Sequence, residues 1–368
     1  MKIAVLTHLN YAIAEPYAGG LEAHTSLMVR ELLNLGHEVD VFTRADSSID
    51  GATIRPIVSK RFRYIRPSTN LAKHSFHLLV LLRIDIAMKA ALLQIDRDGD
   101  YDLIINNSLS RYPLEHASSS PMVTIFHTPP LENMIVGLRH PHASLRNKSY
   151  ISISHTTQNA WRPYKSSELV LNGIDLGAWH PAGHNKKQNY WFWFGRIVPE
   201  KGLDVAIEAA SMSNTVLRFA GPIGDPDYFN DKINPYINRN SCIYLGHLDQ
   251  SQIKPFISHA KLTLVTPQWE EPFGLVLAES LAAGTPVAAI NKGAMSELLT
   301  SEVGAIAEDN TAASLAKAAI RAENIDGADC IAYARKWSAK RMVREYMRIG
   351  HRDVFIDTAL RLKEARVS

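Results

Sequence analysis

Short apolar segments alternate with amphipathic stretches along the chain, and this series occurs twice. In the first half the apolar segments are KIAVLTH, EVDVFTR, YDLIINN, PMVTIFH and YISIS; in the second they are YWFWFG, TVLRFAG, CIYLG, KLTLVTP and PVAAI. Amphipathic stretches such as residues 21–35 and 203–212 separate them. Such alternation indicates βαβ units and parallel sheets. We therefore predict an α/β protein with two doubly wound, Rossmann-like domains.

The length of the chain and a linker-like segment support this division. A domain usually has about 100–200 residues, and the chain has 368. The segment LNGIDLGAWHPAGHNKKQ, between the two series, is rich in Gly, Pro and polar residues. We predict a first domain over residues 1–172, a linker over 173–188, a second domain over 189–340, and a helical segment over 341–368 that crosses back to the first domain or caps the second. The carboxyl ends of both strand sets then face a central cleft.

Composition and charge exclude several classes of protein. Hydrophobic residues make up 46% and charged residues 21%, as in soluble globular proteins. A net charge of +3 is too small to indicate nucleic-acid binding. Cys242 and Cys330 lie far apart and form no CxxC, which argues against a zinc knuckle or a disulfide framework and favours a reducing cytoplasm.

Two apolar segments bear on membranes. The N-terminal run IAVL is too short for a signal peptide and is typical of a first strand. The segment FHLLVLLRIDIAMKAALL is interrupted by Arg83, Asp85 and Lys89, so it predicts a buried or interfacial helix. Before it, KRFRYIRP (residues 60–67) is basic and aromatic. This stretch predicts either peripheral contact with an anionic membrane at its inner face, or a solvated charge run or acceptor-phosphate site.

The segment EEPFGLVLAES places two carboxylates around a predicted helix start. Pro272 suits the first position of a helix, and AAGTP at 282–286 supplies a Gly-then-Pro stop. We predict a helix of about three turns with Glu271 at its mouth. Free backbone N–H groups at the helix start form an anion site there; they belong to Phe273, Gly274, Leu275 and Val276.

Glu279 follows Glu271 by eight residues, which in a helix is about 12 Å along the axis. This distance is comparable to the span from a sugar through a diphosphate to a ribose. One carboxylate can therefore hold sugar hydroxyls, and the second can hold the ribose diol. The alternative is that Glu271 is a first-turn acid and Glu279 a solvated surface residue.

Further candidates follow predicted strands. Arg196 and Lys201 lie in FGRIVPEKG after an apolar strand, where two cations can neutralise a diphosphate without a metal, unless they are solvated loop residues. Gly19 and Gly20 suit a backbone-lined anion nest or a plain turn. His127 ends PMVTIFH before TPP, and it either faces the cleft or is satisfied by backbone groups.

Other motifs predict no metal site. The Asp-x-Asp sequences at 98–100 and 225–227 lie in turn-like contexts where Asp and Gly are expected. His140 and His142 have weak metal-ligand spacing and no evident third ligand. The absence of a Walker loop, and of G-x-G-x-x-G after the first strand, argues against P-loop NTPases and typical dehydrogenases.

GRIVPEKG followed by EEPFGLVLAESLAAGTPVAA resembles the signature of retaining GT-B glycosyltransferases of family 4. YAGGLEAHTSLMVRELLNLGHEVDVFT resembles the family's N-terminal Gly-Gly loop and first helix, and LNGID its linker motif. KGAMSELL is similar to its Gly-Gly-x-Pro-Glu segment, although Ala294 replaces the second glycine and Ser296 the proline, which leaves the local turn open. The resemblance extends over nearly the whole chain and implies the GT-B fold.

The resemblance implies roles for the candidate residues. Arg196 and Lys201 would bind the diphosphate, Glu271 the donor sugar and Glu279 the ribose. Gly274 and Leu275 would offer backbone amides, Gly19 and Gly20 would close on the phosphates, and His127 would contact the sugar. The implied reaction is metal-independent, cofactor-free hexosyl transfer from a nucleotide diphosphate sugar, by usage UDP-linked, with a front-face retaining mechanism. The acceptor would be a glycan, glycolipid or small molecule recognised by the loops at 8–18 and 60–75.

Two alternative functions remain open. A nucleotide-sugar epimerase on the same fold would need a set of cleft acids and bases that the sequence does not identify. A non-catalytic GT-B subunit would bind nucleotide sugar or a partner enzyme, and it could lose the diphosphate cations or the sugar carboxylate at no cost to binding a partner. Arg196, Lys201, Glu271 and Glu279 are nevertheless all present. Their presence favours catalysis.

Overall fold

The computed structural model describes residues 1–62, 71–181, 186–238 and 240–364. In this part of the chain the strands are β1 (Lys2–Thr7), β2 (Glu38–Arg44), β3 (Thr53–Val58), β4 (Leu103–Asn107), β5 (Met122–Phe126), β6 (Lys148–Ser152), β7 (Glu168–Leu169), β8 (Gln188–Phe194), β9 (Val216–Ala220), β10 (Cys242–Tyr244), β11 (Ala260–Val265), β12 (Val287–Ala289) and β13 (Gly304–Ile306).

The α-helices of the same residues are α1 (Gly20–Asn34), α2 (Leu71–Asp98), α3 (Tyr112–Glu115), α4 (Glu132–Leu138), α5 (His155–Trp161), α6 (Leu176–Trp179), α7 (Leu203–Met212), α8 (Pro226–Tyr228), α9 (Gln250–His259), α10 (Leu275–Ala282), α11 (Met295–Leu298), α12 (Ala312–Ala322), α13 (Gly327–Ala334) and α14 (Ala339–Glu364). Short 3-10 turns are Pro141–Ser144, Pro199–Lys201, Asn234–Tyr236 and Arg335–Trp337, and Phe229–Ile233 is a π-helical turn.

The strands form two parallel sheets, which confirms the predicted fold class. The first sheet has the order β3-β2-β1-β4-β5-β6-β7, and the second has the order β10-β9-β8-β11-β12-β13. In each sheet the order reverses beside the first strand, because β1 lies between β2 and β4 and β8 lies between β9 and β11. Ligands of doubly wound sheets bind at the carboxyl ends of strands at such switch points. The carboxyl ends of β1 and β8 therefore mark the expected site.

The apolar segments predict the inner strands and miss three strands at sheet edges. β3 and β7 are the two edges of the first sheet, and β13 is one edge of the second. β3 is only partly buried and contains Pro56, which cannot donate to a strand ladder. β7 and β13 have two and three residues. Edge strands bury less side-chain surface, so their sequences lack the continuous apolar run of a central strand.

The linker and the last helix join the two domains. Ile174 forms a bridge with Ser338, where its N–H donates to the carbonyl of Trp337 at 2.8 Å. α14 then packs against the first domain, where a side chain at Gly350 would meet Leu103 at 2.7 Å. α14 extends to Glu364, in agreement with the helical segment predicted over 341–368 as far as the described residues reach. The carboxyl-terminal segment thus crosses back to the first domain.

The membrane-related stretches are described in part. Lys60 and Arg61 are exposed, and the rest of the basic stretch from 63 to 67 lies outside the described residues. The apolar segment after it forms α2. Among the described helices, none is long and apolar enough to span a bilayer.

Candidate functional site

A cleft of about 440 Å³ lies between the two domains, at the carboxyl ends of β1 and β8. Its first-domain wall carries residues before and within α1 and the end of β5, and its second-domain wall carries the loops after β8 and β11. All the site residues predicted from the sequence line it: Gly19, Gly20, His127, Arg196, Lys201, Glu271, Phe273, Gly274, Leu275, Val276 and Glu279. The fold thus brings together residues that are up to 260 positions apart.

Lys201 and Glu271 form an ion pair in the cleft. Lys201 Nζ donates to Glu271 Oε2 at 2.6 Å, and Trp269 Nε1 donates to the same oxygen at 2.9 Å. The Glu271 side chain is 11% exposed and that of Lys201 29%. The sequence predicts that these two residues contact adjacent parts of one ligand, a sugar and a diphosphate. Their direct contact agrees with neighbouring roles in one site.

Arg196 supplies a second cation. Its guanidinium lies 5.9 Å from the centre of the Tyr11 ring, across the cleft. Its Nε is buried and has no hydrogen-bond partner within the described part of the chain. Gly224 provides room for this side chain, because a Cβ there would come within 2.7 Å of Arg196 Cγ. Arg196 is therefore available to an anion.

The helix after Glu271 begins later than the sequence predicts. α10 starts at Leu275 and has eight residues, so Pro272 and Phe273 lie in a bend before it. Gly274 caps the helix with φ 84°, a left-handed conformation that cannot continue an α-helix. The prediction of three turns from Pro272 is wrong, so the distance of about 12 Å between Glu271 and Glu279 no longer follows from helix geometry.

The late start still leaves free donors in the cleft. Leu277 N–H donates to Gly274 O at 3.0 Å, so the N–H groups of Leu275 and Val276 precede this first backbone bond. A side chain at Gly20 would meet Leu275 Cδ1 at 3.2 Å. The first residues of α1 and α10 therefore lie close together, and both line the cleft. Helix amino ends at a shared cleft favour an anionic ligand.

Burial governs the charge of Glu279. This half-buried side chain lines the cleft on α10, and its desolvation raises the pKa of its carboxyl to about 8. The free cleft therefore presents Glu279 as a carboxylic acid at neutral pH. Hydroxyl groups that donate to the carboxylate would favour ionisation and lower this pKa again.

We expect Glu279→Gln to stabilise the protein progressively as the pH rises. The folded state holds its proton up to about pH 8, whereas the unfolded chain loses it near the usual value of 4.5. The wild-type free energy of unfolding therefore falls between these pH values, and the variant lacks this decrease. We expect the variant's advantage to grow by about 1–2 kcal/mol between pH 5 and pH 8.

Urea unfolding at pH 5, 6, 7 and 8 measures this difference. Glu208→Gln is the matched control, because Glu208 is an exposed glutamate on α7 of the same domain. A constant difference between wild type and Glu279→Gln over this range contradicts the raised pKa.

His127 lies at the end of β5 with its ring buried. Its Nε2 is 3.1 Å from Asn107 Oδ1, and its ring meets that of His24 edge to face at 4.6 Å between centroids. Burial lowers the pKa of His127 well below its usual value, and it lowers the pKa of His24 to about 4. Both rings are therefore neutral. Together with His8, whose pKa is also lowered by burial, they line the first-domain side of the cleft.

A turn after β12 supports the loop that carries Glu271. Ala294 N–H donates to Glu271 O at 2.9 Å, and Gly293 has φ 62°. Ala294 has φ −77°, a conformation open to any residue. The turn therefore requires glycine at 293 only, and the replacement of the second glycine leaves it intact.

The same loop is attached to the first domain. Pro272 O accepts hydrogen bonds from Ser154 Oγ at 2.6 Å and Thr157 Oγ1 at 3.2 Å. The Glu297 carboxylate accepts from the N–H groups of His155 at 2.7 Å and Thr156 at 3.0 Å. The second domain thus caps the first turn of α5, and the Glu271 loop is held by both domains.

The motifs that imitate metal sites have structural partners. Asp100 pairs with Lys2 at 2.6 Å, and Asp225 caps α8 by accepting from Tyr228 N–H at 3.0 Å. His142 Nδ1 lies 2.8 Å from Glu115 O. Asp100, Asp225 and His142 therefore each have a structural role that requires no metal ion.

Sequence reasoning missed several polar residues of the cleft. Glu22, in the first turn of α1, is buried and lies 3.3 Å from His8 Nε2. His8 directly follows β1, so the rule on strand carboxyl ends could have found it. Trp269 is two residues before Glu271, but a tryptophan in a loop forms no sequence pattern that would indicate its contact with the carboxylate. Asn107 does not line the cleft itself but contacts His127, which does; it is the last residue of a buried strand, and nothing in the apolar run marks it.

The chain matches two family descriptions in succession. Residues 18–178 match "Glycosyltransferase Family 4", and residues 180–337 match "Glycosyl transferases group 1". The boundary between the two matches lies in the linker that joins the two sheets. The first match contains most of the first-domain wall of the cleft, and the second contains the second-domain wall.

Curated and solved proteins agree with these matches. The uncharacterized glycosyltransferase MJ1607 of Methanocaldococcus jannaschii is 23% identical over 341 residues, which cover 83% of this chain and 84% of that protein. Sucrose-phosphate synthase from Thermosynechococcus elongatus superposes with a TM-score of 0.76 at 18% identity, over 97% and 99% of the two chains. Anabaena HepE, solved in complex with UDP-glucose, gives a TM-score of 0.68 at 18% identity over 94% and 98%. These similarities support the two-domain GT-B fold.

Proposed function

The chain belongs to the family 4 glycosyltransferases, the glycosyl transferases group 1 proteins with the GT-B fold, and from this premise we propose that it is a retaining hexosyltransferase. Its donor is a nucleotide diphosphate sugar, with UDP as the favoured nucleotide. Its acceptor is a hydroxyl group of a glycan, a glycolipid or a small molecule. The reaction needs neither a metal nor a cofactor.

The observation that carries this proposal is the cluster of Lys201, Glu271 and Trp269 beside Arg196. A transferred sugar is neutral and rich in hydroxyl groups, whereas its leaving group is a dianion. A site for such a donor needs a carboxylate and cations in contact with each other, and Lys201 and Glu271 are 2.6 Å apart. Arg196 then neutralises further phosphate charge without a metal.

The mechanism follows from where charge develops. As the bond between the anomeric carbon and the phosphate lengthens, negative charge grows on the diphosphate and positive charge on the sugar. Arg196, Lys201 and the amino end of α10 stabilise the negative charge on the diphosphate. The neutral His127 does not oppose the positive charge on the sugar. A phosphate oxygen takes the proton of the acceptor hydroxyl, which attacks from the same face, so the anomeric configuration is retained. Glu271 holds sugar hydroxyls and is not the nucleophile.

Transfer and its stereochemistry can be measured together. UDP-hexoses are incubated with an array of hydroxyl acceptors in EDTA, and the anomeric proton of the product is observed by NMR. We expect an α-linked product from an α-linked donor and undiminished turnover in EDTA. An inverted product excludes the retaining mechanism, and turnover that requires a divalent ion excludes the metal-free one. Interconversion of donor epimers without transfer supports the epimerase instead.

We also propose that the chain contacts an anionic membrane through the outward face of α2. This face combines exposed apolar side chains with exposed cations: Leu79, Leu82, Ile86 and Leu93 with Arg83, Lys89 and Arg97. Apolar side chains enter the headgroup boundary while the cations meet anionic lipid, each worth about 1 kcal/mol. None of these side chains lines the interdomain cleft.

We expect the protein to sediment with vesicles that contain phosphatidylglycerol, about 100-fold more tightly than with pure phosphatidylcholine, because three cations face the lipid. The variant Leu82→Ser/Ile86→Ser should weaken this binding about tenfold. Ile320→Ser is the matched control, since Ile320 is an exposed isoleucine on α12 of the second domain. Equal binding to both vesicle types contradicts the proposal.

A further inference from the structure

A chain of buried hydrogen bonds runs from the first turns of α1 to the ring of His127. Thr25 Oγ1 lies 2.8 Å from Leu21 O. Asn107 Nδ2 lies 3.3 Å from Thr25 Oγ1, and Asn107 Oδ1 lies 3.1 Å from His127 Nε2. Thr25 and Asn107 have no exposed surface. The polar groups of Thr25 and Asn107 therefore depend on partners within the protein for their hydrogen bonds.

The first hydrogen bond of this series, from Thr25 to Leu21, fixes which atom donates and which accepts in each of the others. A backbone carbonyl only accepts, so the Thr25 hydroxyl donates to Leu21 O. The Thr25 oxygen then accepts from the Asn107 amide nitrogen, which also lies 3.8 Å from Met28 Sδ. The opposite amide orientation would direct the Asn107 oxygen at the Met28 sulfur, which cannot donate. The Asn107 oxygen must therefore face His127.

We propose that Asn107 is a positioning residue that holds His127 in the tautomer with the proton on Nε2. The Nδ1 lone pair is then the polar group that His127 offers to the cleft. His127 accordingly accepts a hydrogen bond from a bound sugar and donates none. The identity of the ligand as a sugar rests on the proposed function, whereas the tautomer itself does not.

The surroundings keep the ring in this state. The side chains that face His127 from α1 and from the end of β1 are His24 and His8, and burial lowers the pKa of both. Glu22 lies beside His8, at 3.3 Å from its Nε2. Asn107 itself is neutral. A carboxylate at position 107 would instead stabilise the imidazolium, so an amide there keeps His127 unprotonated.

This assignment restricts the group that meets His127. An unprotonated ring nitrogen accepts from a hydroxyl and gains nothing from an ether. It repels a carboxylate. We therefore expect the enzyme to use donors with a free hydroxyl at this place and to discriminate against their deoxy, O-methyl or uronate analogues. Loss of one such hydrogen bond lowers kcat/KM by about 10-fold to 100-fold.

The tautomer is measured directly by long-range proton–nitrogen correlation NMR on the ¹⁵N-histidine-labelled full chain, free of ligand. The chain has 15 histidines, and His127→Gln identifies the signal of interest. We expect a neutral ring with the proton on Nε2 throughout pH 6 to 8. A ring with the proton on Nδ1, or an imidazolium in this range, overturns the proposal.

Substitutions at Asn107 test its part in positioning. Asn107→Leu removes the acceptor, so the Nδ1–H tautomer should become populated and kcat/KM should fall by about 10-fold to 100-fold. Asn107→Asp keeps an acceptor, so it should restore the Nε2–H tautomer and move the acidic limb of the pH profile of kcat/KM to higher pH. Unchanged tautomer populations in Asn107→Leu overturn the role of Asn107.

Asn106→Asp is the matched control for placing a carboxylate in this strand. Asn106 is equally buried, but its side chain bonds to Thr124 and Ser108 and not to His127. Asn106→Asp should therefore leave the histidine spectrum unchanged.

If Asn107→Leu does not fold, Thr25→Val tests the same series of hydrogen bonds. This variant frees the Asn107 amide to turn, so it should produce a mixture of His127 tautomers. An unmixed Nε2–H ring in Thr25→Val contradicts the chain of bonds.

The two proposals fail in different ways. If no sugar is transferred but the spectrum shows the Nε2–H ring, the proposed function fails and the tautomer stands. If transfer occurs and the ring carries its proton on Nδ1, the function stands and the assignment of Asn107 fails.

Discussion

We expect Gly293→Ala to lower the free energy of unfolding by about 2–4 kcal/mol and to abolish measurable binding of the donor. A Cβ at this position would lie 2.2 Å from Glu271 O and 2.3 Å from Glu271 N. These are backbone atoms, so no side-chain rotation relieves the overlap. The loop that carries Glu271 must move, and the pair with Lys201 is lost with it.

Gly36→Ala is the control that separates the effect of this overlap from the effect of backbone strain on the free energy of unfolding. Gly36 has φ 84°, and a Cβ there meets nothing within 4 Å. A non-glycine residue in the left-handed region costs about 1 kcal/mol, and this cost is shared by both variants. Urea unfolding of the two proteins therefore isolates the contact at Glu271. Equal destabilisation of the two variants contradicts the account of this turn.

We expect Lys201→Ala to lower kcat by about 1,000-fold with a smaller change in KM. In the proposed mechanism the leaving diphosphate gains charge in the transition state, and Lys201, whose Nζ lies 2.6 Å from Glu271 Oε2, neutralises that charge. Steady-state kinetics with the preferred donor measure both constants. Lys232→Ala, at an exposed lysine of the same domain, is the control and should leave both constants unchanged.

A double-mutant cycle tests whether Lys201 and Glu271 act as one unit. If they do, Glu271→Gln after Lys201→Ala costs much less than Glu271→Gln alone, because the cluster is already broken. Additive losses in the logarithm of kcat/KM contradict the shared site, as does a Lys201→Ala variant that alters KM alone.

The sequence predicts the fold well because a central parallel strand must be apolar on both faces. β1, β8 and their neighbours show this pattern, and the cleft lies where the carboxyl ends of these two strands predict it. The edge strands β3, β7 and β13 are short or half-exposed and carry no comparable pattern. The apolar pattern therefore reveals the switch points of the sheets, which matter for function, and misses these edge strands.

The helix start near Glu271 shows where local rules fail. Pro272 fits a first helical position, but its carbonyl accepts hydrogen bonds from Ser154 and Thr157 of the other domain. Gly274 then makes the turn with a positive φ. A contact between residues more than 100 positions apart decides this conformation, and no local spacing can predict it.

The polar groups behind the site are also set by distant contacts. Asn107 acts on His127 from a neighbouring strand, and Glu22 meets His8 from a helix. Each residue is ordinary in its own segment. Arg196, Lys201, Glu271 and Glu279 can be identified because they follow strands or flank a glycine turn. Asn107 and Glu22 have no such mark in the sequence.

The most direct test of the account is calorimetric titration of UDP, GDP, ADP and dTDP into the wild type and Glu279→Ala, without divalent metal. We expect one nucleotide, UDP, to bind selectively and to bind at least about tenfold more weakly to Glu279→Ala, through loss of its ribose contacts. Absence of binding, a requirement for metal, or equal affinity in the variant contradicts a nucleotide-sugar site in this cleft.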